Sequence, residues 1–214
     1  MRNEPVEVLE HAGLIVKVLQ DETEENPRDW DNLSKFVFFH KRYDLPNELN
    51  LDINQFSSGD EIGKHLREEL GAEIVVPVYM YDHSGISISR HYRYPYDDPW
   101  DAGQVGFAVV LSSDILKEYS VEHITEIIRH KALAVLDSEI ATYNAYLTGD
   151  VYGYVVETPD GEYVSSCWGY YGDDEVSGFK VAKSDGQASA EWWAAEHERL
   201  AKELAAKVEA SFAV

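Results

Sequence analysis

The sequence predicts an α+β fold: a mainly antiparallel sheet built from hairpins, with a long amphipathic helix and a C-terminal helix packed on it. Three observations carry this expectation. Short β-branched and apolar runs recur along the chain, bounded by Gly, Pro, Asn and Asp. Consecutive runs are joined by tight turn sequences such as Thr158-Pro159-Asp160-Gly161, which suit antiparallel pairing. Two longer segments, 121–147 and 185–212, repeat apolar residues at near-helical spacing. Strands joined by hairpins favour α+β over a doubly wound parallel sheet. About six to eight strands and four or five helices are expected. Residues 1–184 are read as a single α+β domain and 185–214 as a helix packed on it.

Taken in order, 6–9 and 14–19 read as two short strands around the turn His11-Ala12-Gly13. Asn26-Pro27-Arg28-Asp29 reads as a helix start: Asn26 is a good N-cap, Pro27 suits the first helical position, and Asp29 suits the positive end of the dipole. That helix is expected to run to about His40, with Trp30, Leu33, Phe36, Val37 and His40 near one face. Residues 45–55 read as a loop followed by a short strand. Ser57-Ser58-Gly59-Asp60 opens a second helix, which Gly71 closes. Residues 74–81 form the clearest strand, and His83-Ser84-Gly85 turns the chain into a partner over 86–90. Residues 92–103, rich in Tyr, Pro, Asp and Trp, read as an ordered loop packed on the sheet.

Residues 104–111 are another buried strand, and Ser112-Ser113-Asp114 caps a short helix ending near Tyr119. Ile124, Ile128, Val135, Ile140, Tyr143 and Leu147 mark the long helix over 121–147, and Gly149 ends it. Residues 151–157 and 162–167 form a hairpin, 169–178 a loop, and 179–183 a short strand. The final helix places Trp192, Trp193, Leu200, Leu204 and Val208 on its apolar side.

Composition narrows the function. The 214 residues include 40 Asp and Glu against 18 Lys and Arg, a formal net charge of −22. Solubility of a small domain needs a net charge of only about 2–8, and a larger excess makes the compact state repel itself. Choice of partner is the leading reason to retain it. An apolar share of 44% and 14 Tyr, 7 Phe and 5 Trp argue against a disordered acidic chain. Such a charge disfavours direct binding to nucleic acid and to anionic lipid. The single cysteine, Cys167, excludes an intramolecular disulfide and a cysteine-based zinc site, and fits a reducing, cytoplasmic setting. The N-terminal segment is interrupted by charges and predicts no signal peptide; no apolar run reaches membrane-span length.

Several constellations invite chemistry. Tyr81-Asp82-His83-Ser84 contains the residue types of a hydrolytic triad, but triad members are assembled from distant segments. A turn held by local backbone bonds explains the tetrapeptide better. Asp82, His83, His91 and Asp101 define the alternative reading, a small hydrolase or metal-dependent enzyme. Neither zinc-ligand spacing nor a calcium-loop pattern is present, so no metal and no cofactor are expected. Gly103-Gln104-Val105-Gly106 opens a strand and does not lead into a helix as a phosphate loop would. Cys167 lies among carboxylates and aromatics, which disfavour a thiolate, and is read as a core residue. No catalytic residue is therefore expected.

The acidic–aromatic segments are the stronger signal. Residues 150–175 hold seven carboxylates, five tyrosines and one tryptophan with no Lys or Arg. Carboxylates along a surface can imitate the phosphates of DNA, which carry one charge per ~1.7 Å of duplex. Tyr and Trp supply interface energy and stack with a partner's Arg. The bland alternative is aromatics in the core and acids on a solvated face; it leaves the overall charge unexplained. Halophilic adaptation would spread the acids evenly, and they are uneven here. The expected partner-binding residues are Asp97, Asp98, Trp100, Asp101, Asp150, Tyr170, Tyr171, Asp173, Asp174 and Glu175.

Residues 26–33 (Asn-Pro-Arg-Asp-Trp-Asp-Asn-Leu), 81–85, 99–107, 146–153 and 166–172 (Ser-Cys-Trp-Gly-Tyr-Tyr-Gly) together resemble a family of small acidic proteins of bacteriophages and mobile elements. The resemblance spans roughly 26–175. It implies a genomic setting in which small acidic proteins block host restriction or CRISPR nucleases. The expected function is then an acidic, DNA-mimic-like inhibitor of a host nuclease. Its partner would be a basic nucleic-acid-binding host protein or complex, with no membrane contact, and the chain a monomer or homodimer. A virion structural or assembly protein is the third reading.

Overall fold

A computed structural model describes residues 4–22, 25–40, 42–90, 101–172 and 178–212. The first hairpin, β1 (Glu7–His11) and β2 (Leu14–Gln20), turns through Ala12 and Gly13 at φ 49° and 79°. Positive φ at both central residues is what a tight turn compatible with strand twist requires. β2 pairs antiparallel not with the next strand in sequence but with β7 (Val151–Glu157), which pairs with β8 (Tyr163–Tyr171). The sheet order is β1-β2-β7-β8. β2 and β7 are thus the two sides of one hairpin with a very long loop. Its neck is closed by Asp21 N–H donating to Val151 O (2.8 Å) and Gln20 Nε2 to Gly149 O (2.7 Å).

The terminal helix α4 (Gly178–Phe212) packs on this sheet. It approaches through small residues one turn apart, Ala182, Gly186 and Ala190, all buried. A Cβ on Gly186 would stand 2.7 Å from Val16 Cγ1, so glycine sets how close the helix lies. Leu14, Val16, Tyr154, Val156 and Ala190 form the core beneath it.

The loop between β2 and β7 is itself folded. β3 (Lys35–Phe38), β4 (Ala72–Asp82), β5 (Ile86–Ser89) and β6 (Ala102–Leu111) form a second antiparallel sheet of order β3-β6-β4-β5. α3 (Glu126–Thr148) covers one face through Ala132, Leu136, Ile140 and Tyr143. α1 (Gly59–Glu68) covers the other through Ile62 and Leu66, and α2 (Ser112–Glu118) adds Ile115 to the α3 side. Covered on both faces, β6 can be apolar without alternation, and every residue from Val105 to Val110 is buried. Contacts divide the chain into two compact units, residues 1–24 with 149–214 and residues 25–148.

The α+β architecture, the antiparallel pairing and the packed terminal helix agree with expectation; several elements do not. The helix expected from Asn26 to His40 is a single 3₁₀ turn, Pro27–Asp29, followed by β3. Asn26 does cap that turn, accepting from Arg28 N–H (3.0 Å). The helix stops because Arg28 folds inward to Ser34 O and Glu48, and Phe36, Val37 and Phe38 fill both faces of the sheet as a strand. Residues 45–55 hold no strand, but one bridge from Asn47 to Val37 and a 3₁₀ turn at Ile53–Gln55. The loop expected over 169–178 is partly strand, since β8 runs to Tyr171 across a bulge that the positive φ of Gly169 permits. Phe179 to Lys183 begin α4 and form no strand. Cys167 is exposed, not a core residue.

Tyr143 on α3 is buried edge-on against Phe36, with ring centroids 5.6 Å apart. Burial pushes its phenol up to about 12, with Tyr146, Glu48 and Asp44 adding to the shift and Arg28 opposing it. A tyrosine in the unfolded chain ionises near pH 10. Between pH 10 and 12 the unfolded chain releases this proton while the folded chain keeps it, so stability present below pH 10 is lost as pH rises. The loss amounts to about 2–3 kcal/mol. Chemical denaturation at pH 9 and pH 12 should show Tyr143→Phe losing that much less stability than the parent over the same interval.

Candidate functional site

In the 25–148 unit, the β4–β5 turn and the start of β6 bring the sequence-predicted Asp82, His83 and Asp101 together. Asp82 N–H donates to Asp101 O (2.8 Å), which fixes the end of β4 against the segment entering β6. The Asp82 carboxylate accepts from Tyr43 Oη (2.8 Å) and from Arg42 Nη1 (3.0 Å), so both of its oxygens are engaged. The bond to Asp82 holds the Tyr43 phenol above its ordinary value, with desolvation adding to it. His83 is exposed; its Nδ1 lies 3.3 Å from Asp101 Oδ2 and its ring stacks on Tyr81 at 5.8 Å. His83 therefore meets Asp101 and Tyr81 and not Ser84, which takes φ 59° in the turn. A cleft of ≈ 360 Å³ opens beside these groups, lined by His40, Arg42, Asp82, Asp101 and Gln104. Its described lining offers a cation, two carboxylates and an imidazole, and among the described residues no nucleophile there is oriented by a base.

His91, Asp97, Asp98 and Trp100 lie outside the described residues, as do Asp173, Asp174 and Glu175. Of the remaining expected contact residues, Asp150 is half-buried just before β7. Tyr170 and Tyr171 are half-buried in β8. Tyr170 packs against the core under α4, 6.2 Å from the Tyr154 ring, and donates to Asp185 Oδ2 (2.9 Å). Burial raises its phenol well above the ordinary range, and hydrogen bonds with Cys167 and Asp185 raise it further. Tyr170 is thus a packing residue with a satisfied hydroxyl. The aromatics that face solvent are its neighbours, Tyr163 at 67% and Trp168 at 45% exposure. Trp168 lies across Gly153, where a Cβ would sit 2.2 Å from the indole. That glycine opposite a tryptophan was the signal available in the sequence.

The most heavily engaged charged group was not expected from sequence as a site at all. Arg28, 3% exposed at its side chain, is bound by Glu48 through Nε (3.2 Å) and Nη2 (2.8 Å), and Nη2 also donates to Ser34 O (2.8 Å). Its Cζ stands 3.8 Å over the Phe36 ring. Nη1 lies 3.5 Å from Glu139 Oε2 without a hydrogen bond. Glu139 on α3 accepts from Leu33 N–H (2.8 Å), Ser34 N–H (3.0 Å) and Ser34 Oγ; Glu48 also accepts from Phe36 N–H. Every carboxylate here is spent on backbone or on Arg28, which makes the group a clamp between β3, the 27–34 turn and α3. Nearby chain segments also gather acids on the surface: Asp31, Asp114 and Glu118 line a shallow groove of ≈ 270 Å³ with Lys35 and Lys117.

Among the described residues no three His, Cys, Asp or Glu are grouped to hold a metal ion, and no helix is long and apolar enough to cross a membrane. No protein-family model matches the chain, and neither a curated protein nor a solved structure matches it.

Proposed function

We propose that this chain is an inhibitor that acts by binding. Its acidic surface would occupy the basic nucleic-acid groove of a host nuclease, such as a restriction or CRISPR complex, in place of DNA. One observation carries this reading: the fold spends its scarce cations on internal pairs and leaves carboxylates outside. Arg28, Arg42, Arg90, Arg129, Lys17 and Lys183 each lie against a carboxylate of the same chain. Asp31, Asp44, Asp60, Glu118, Glu122 and Glu126 are exposed on the 25–148 unit, and Asp160 and Glu162 on the other. The formal charge of −22 therefore acts on the surroundings. The resemblance to acidic phage and mobile-element proteins selects the nuclease as the class of partner.

The test is capture of host proteins by the immobilised chain at about 50 and 200 mM salt, with and without added duplex DNA. A nuclease held at low salt, released at high salt and displaced by the DNA is the expected result. Capture indifferent to both would rule the mimic out. The second reading, an enzyme using the His83–Asp101 pair at the cleft, is separated by His83→Ala. That change leaves capture intact under the binding reading and abolishes turnover under the enzymatic one.

A further inference from the structure

The β1-β2-β7-β8 sheet has a face that its own unit leaves uncovered. Side chains alternate along a strand, so the residues turned towards α4 identify the opposite set. Glu7 meets Lys183, His11 meets Glu191, and Leu9 joins the core under the helix. Val6, Val8 and Glu10 therefore lie on the other side of β1. Ile15, Lys17 and Leu19 in β2 and Val155 in β7 share that side, since Leu14, Val16, Tyr154 and Val156 are in the core. In β8, Ser165 bonds Ser189 of α4 (2.7 Å). Tyr163 bonds Ser166 (3.2 Å) on the opposite side, and Trp168 lies over Gly153 there. α4 is the only helix described in this unit, so among the described residues no element of the unit packs on the outer face.

Val6 and Val8 at one edge of that face are 56% and 55% exposed, and Tyr163 and Trp168 at the other are 67% and 45% exposed. Half-buried Ile15, Leu19 and Val155 join them across the middle. Lys17 is the one cation among these described residues, and Glu157 neutralises it in place. Glu10 is exposed, and the turn leading into Tyr163 adds exposed Asp160 and Glu162. The face is an apolar strip with aromatic rings along one edge and exposed carboxylates at its turn end.

Charge selects the occupant. A second copy brings its own −22, and nucleic acid or an anionic bilayer brings phosphates, each against those carboxylates. A cationic protein is attracted instead. Of the two strong cations, arginine fits the rings: its planar guanidinium stacks on Tyr and Trp, whereas the lysine ammonium holds its water. Tyr, Trp and Arg are also the residues in which interface energy concentrates. We propose that the outer face of this sheet is the docking surface for a basic protein, with Tyr163 and Trp168 stacking on the partner's arginines and Glu10, Asp160 and Glu162 opposing its charge. This rests on the inhibitory reading above and names the surface on which that partner sits.

Deca-arginine and deca-lysine, equal in charge, are the probes, titrated into the full chain at about 50 mM salt and followed by amide and indole N–H NMR shifts. Deca-arginine is expected to bind about 10-fold tighter than deca-lysine, with the largest shifts at Val8, Glu10, Tyr163 and Trp168. The double variant Tyr163→Ser, Trp168→Ser should erase the preference and bind both peptides as the parent binds deca-lysine. Trp192→Ser, on α4 and 69% exposed, should keep it. Equal affinities, shifts spread over the acids of both units, or a preference that survives in the double variant overturn the proposal. So does broadening of these same resonances as protein concentration rises without peptide, which assigns the face to a second copy. Salt-sensitive nuclease capture retained in full by the double variant refutes the face alone. Absence of capture by the parent refutes the inhibitory reading even where the peptide preference holds.

Discussion

Replacing Arg28 with methionine is expected to destabilise the protein by about 3–5 kcal/mol. The guanidinium is buried with Glu48 and beside Glu139, whose side chains are 20% and 13% exposed. Taking away the cation leaves two carboxylates without their counter-charge, a larger loss than the contact itself is worth. Methionine preserves much of the volume over Phe36, so the cost reports charge and not a cavity. Urea denaturation should show a lower midpoint with an unchanged slope. The triple variant Arg28→Met, Glu48→Gln, Glu139→Gln should recover only part of the loss. No charge remains to be balanced, and the amide oxygen at 48 still accepts from Phe36 N–H, but the single amide oxygen at 139 can accept from only one of the Leu33 and Ser34 N–H groups. A single-variant cost below about 1 kcal/mol would show that water reaches the carboxylates and that the clamp is not buried in solution.

Gly106→Ala should cost about 3 kcal/mol or prevent folding of the 25–148 unit. Gly106 pairs with Phe38 on one side of β6 and with Val78 on the other. A Cβ there would lie 2.3 Å from Val37 O and 2.7 Å from Phe38 Cα. Those atoms are backbone in a paired strand and cannot rotate away, so β3 would have to separate from β6. Gly103→Ala, three residues earlier in the same strand, meets nothing within 4 Å and is the matched control. Equal thermal midpoints for the two variants would refute the close approach of β3.

The pattern of success in reading the sequence follows from how far each determinant acts. The β1–β2 turn, the Ser58 cap of α1 and the Thr158–Gly161 turn rest on neighbouring residues, and all form as their local chemistry dictates. Residues 35–38 were misread because Phe36, Val37 and Phe38 suit a helix face as well as a strand buried on two sides. What decides is Glu48 and Glu139, twelve and over a hundred residues away, accepting from the backbone around Phe36 and Ser34. The same distance hid the clamp, since Arg28 looks like an ordinary first-turn residue until those carboxylates are placed. At the candidate site, Asp82, His83 and Asp101 were legible as a group, whereas Arg42 and Tyr43 reach Asp82 from forty residues away with no local signal. Tyr170 illustrates the reverse case: its acidic neighbourhood suggests contact with a partner, but in β8 it turns towards Tyr154 and the core under α4.

The β2–β7 pairing sets a timetable for synthesis. β2 is complete at Gln20, yet the strand it needs begins at Val151. At about 5–20 residues per second, the ribosome takes roughly 7–26 seconds to supply it. Throughout that interval β1 and β2 are a two-stranded hairpin, which is marginal alone in water. Residues 25–148 complete their own sheet in the meantime. β1 and β2, translated well before β7, are thus secured late, and this hairpin remains exposed to chaperones and proteases until the segment from Val151 onward emerges.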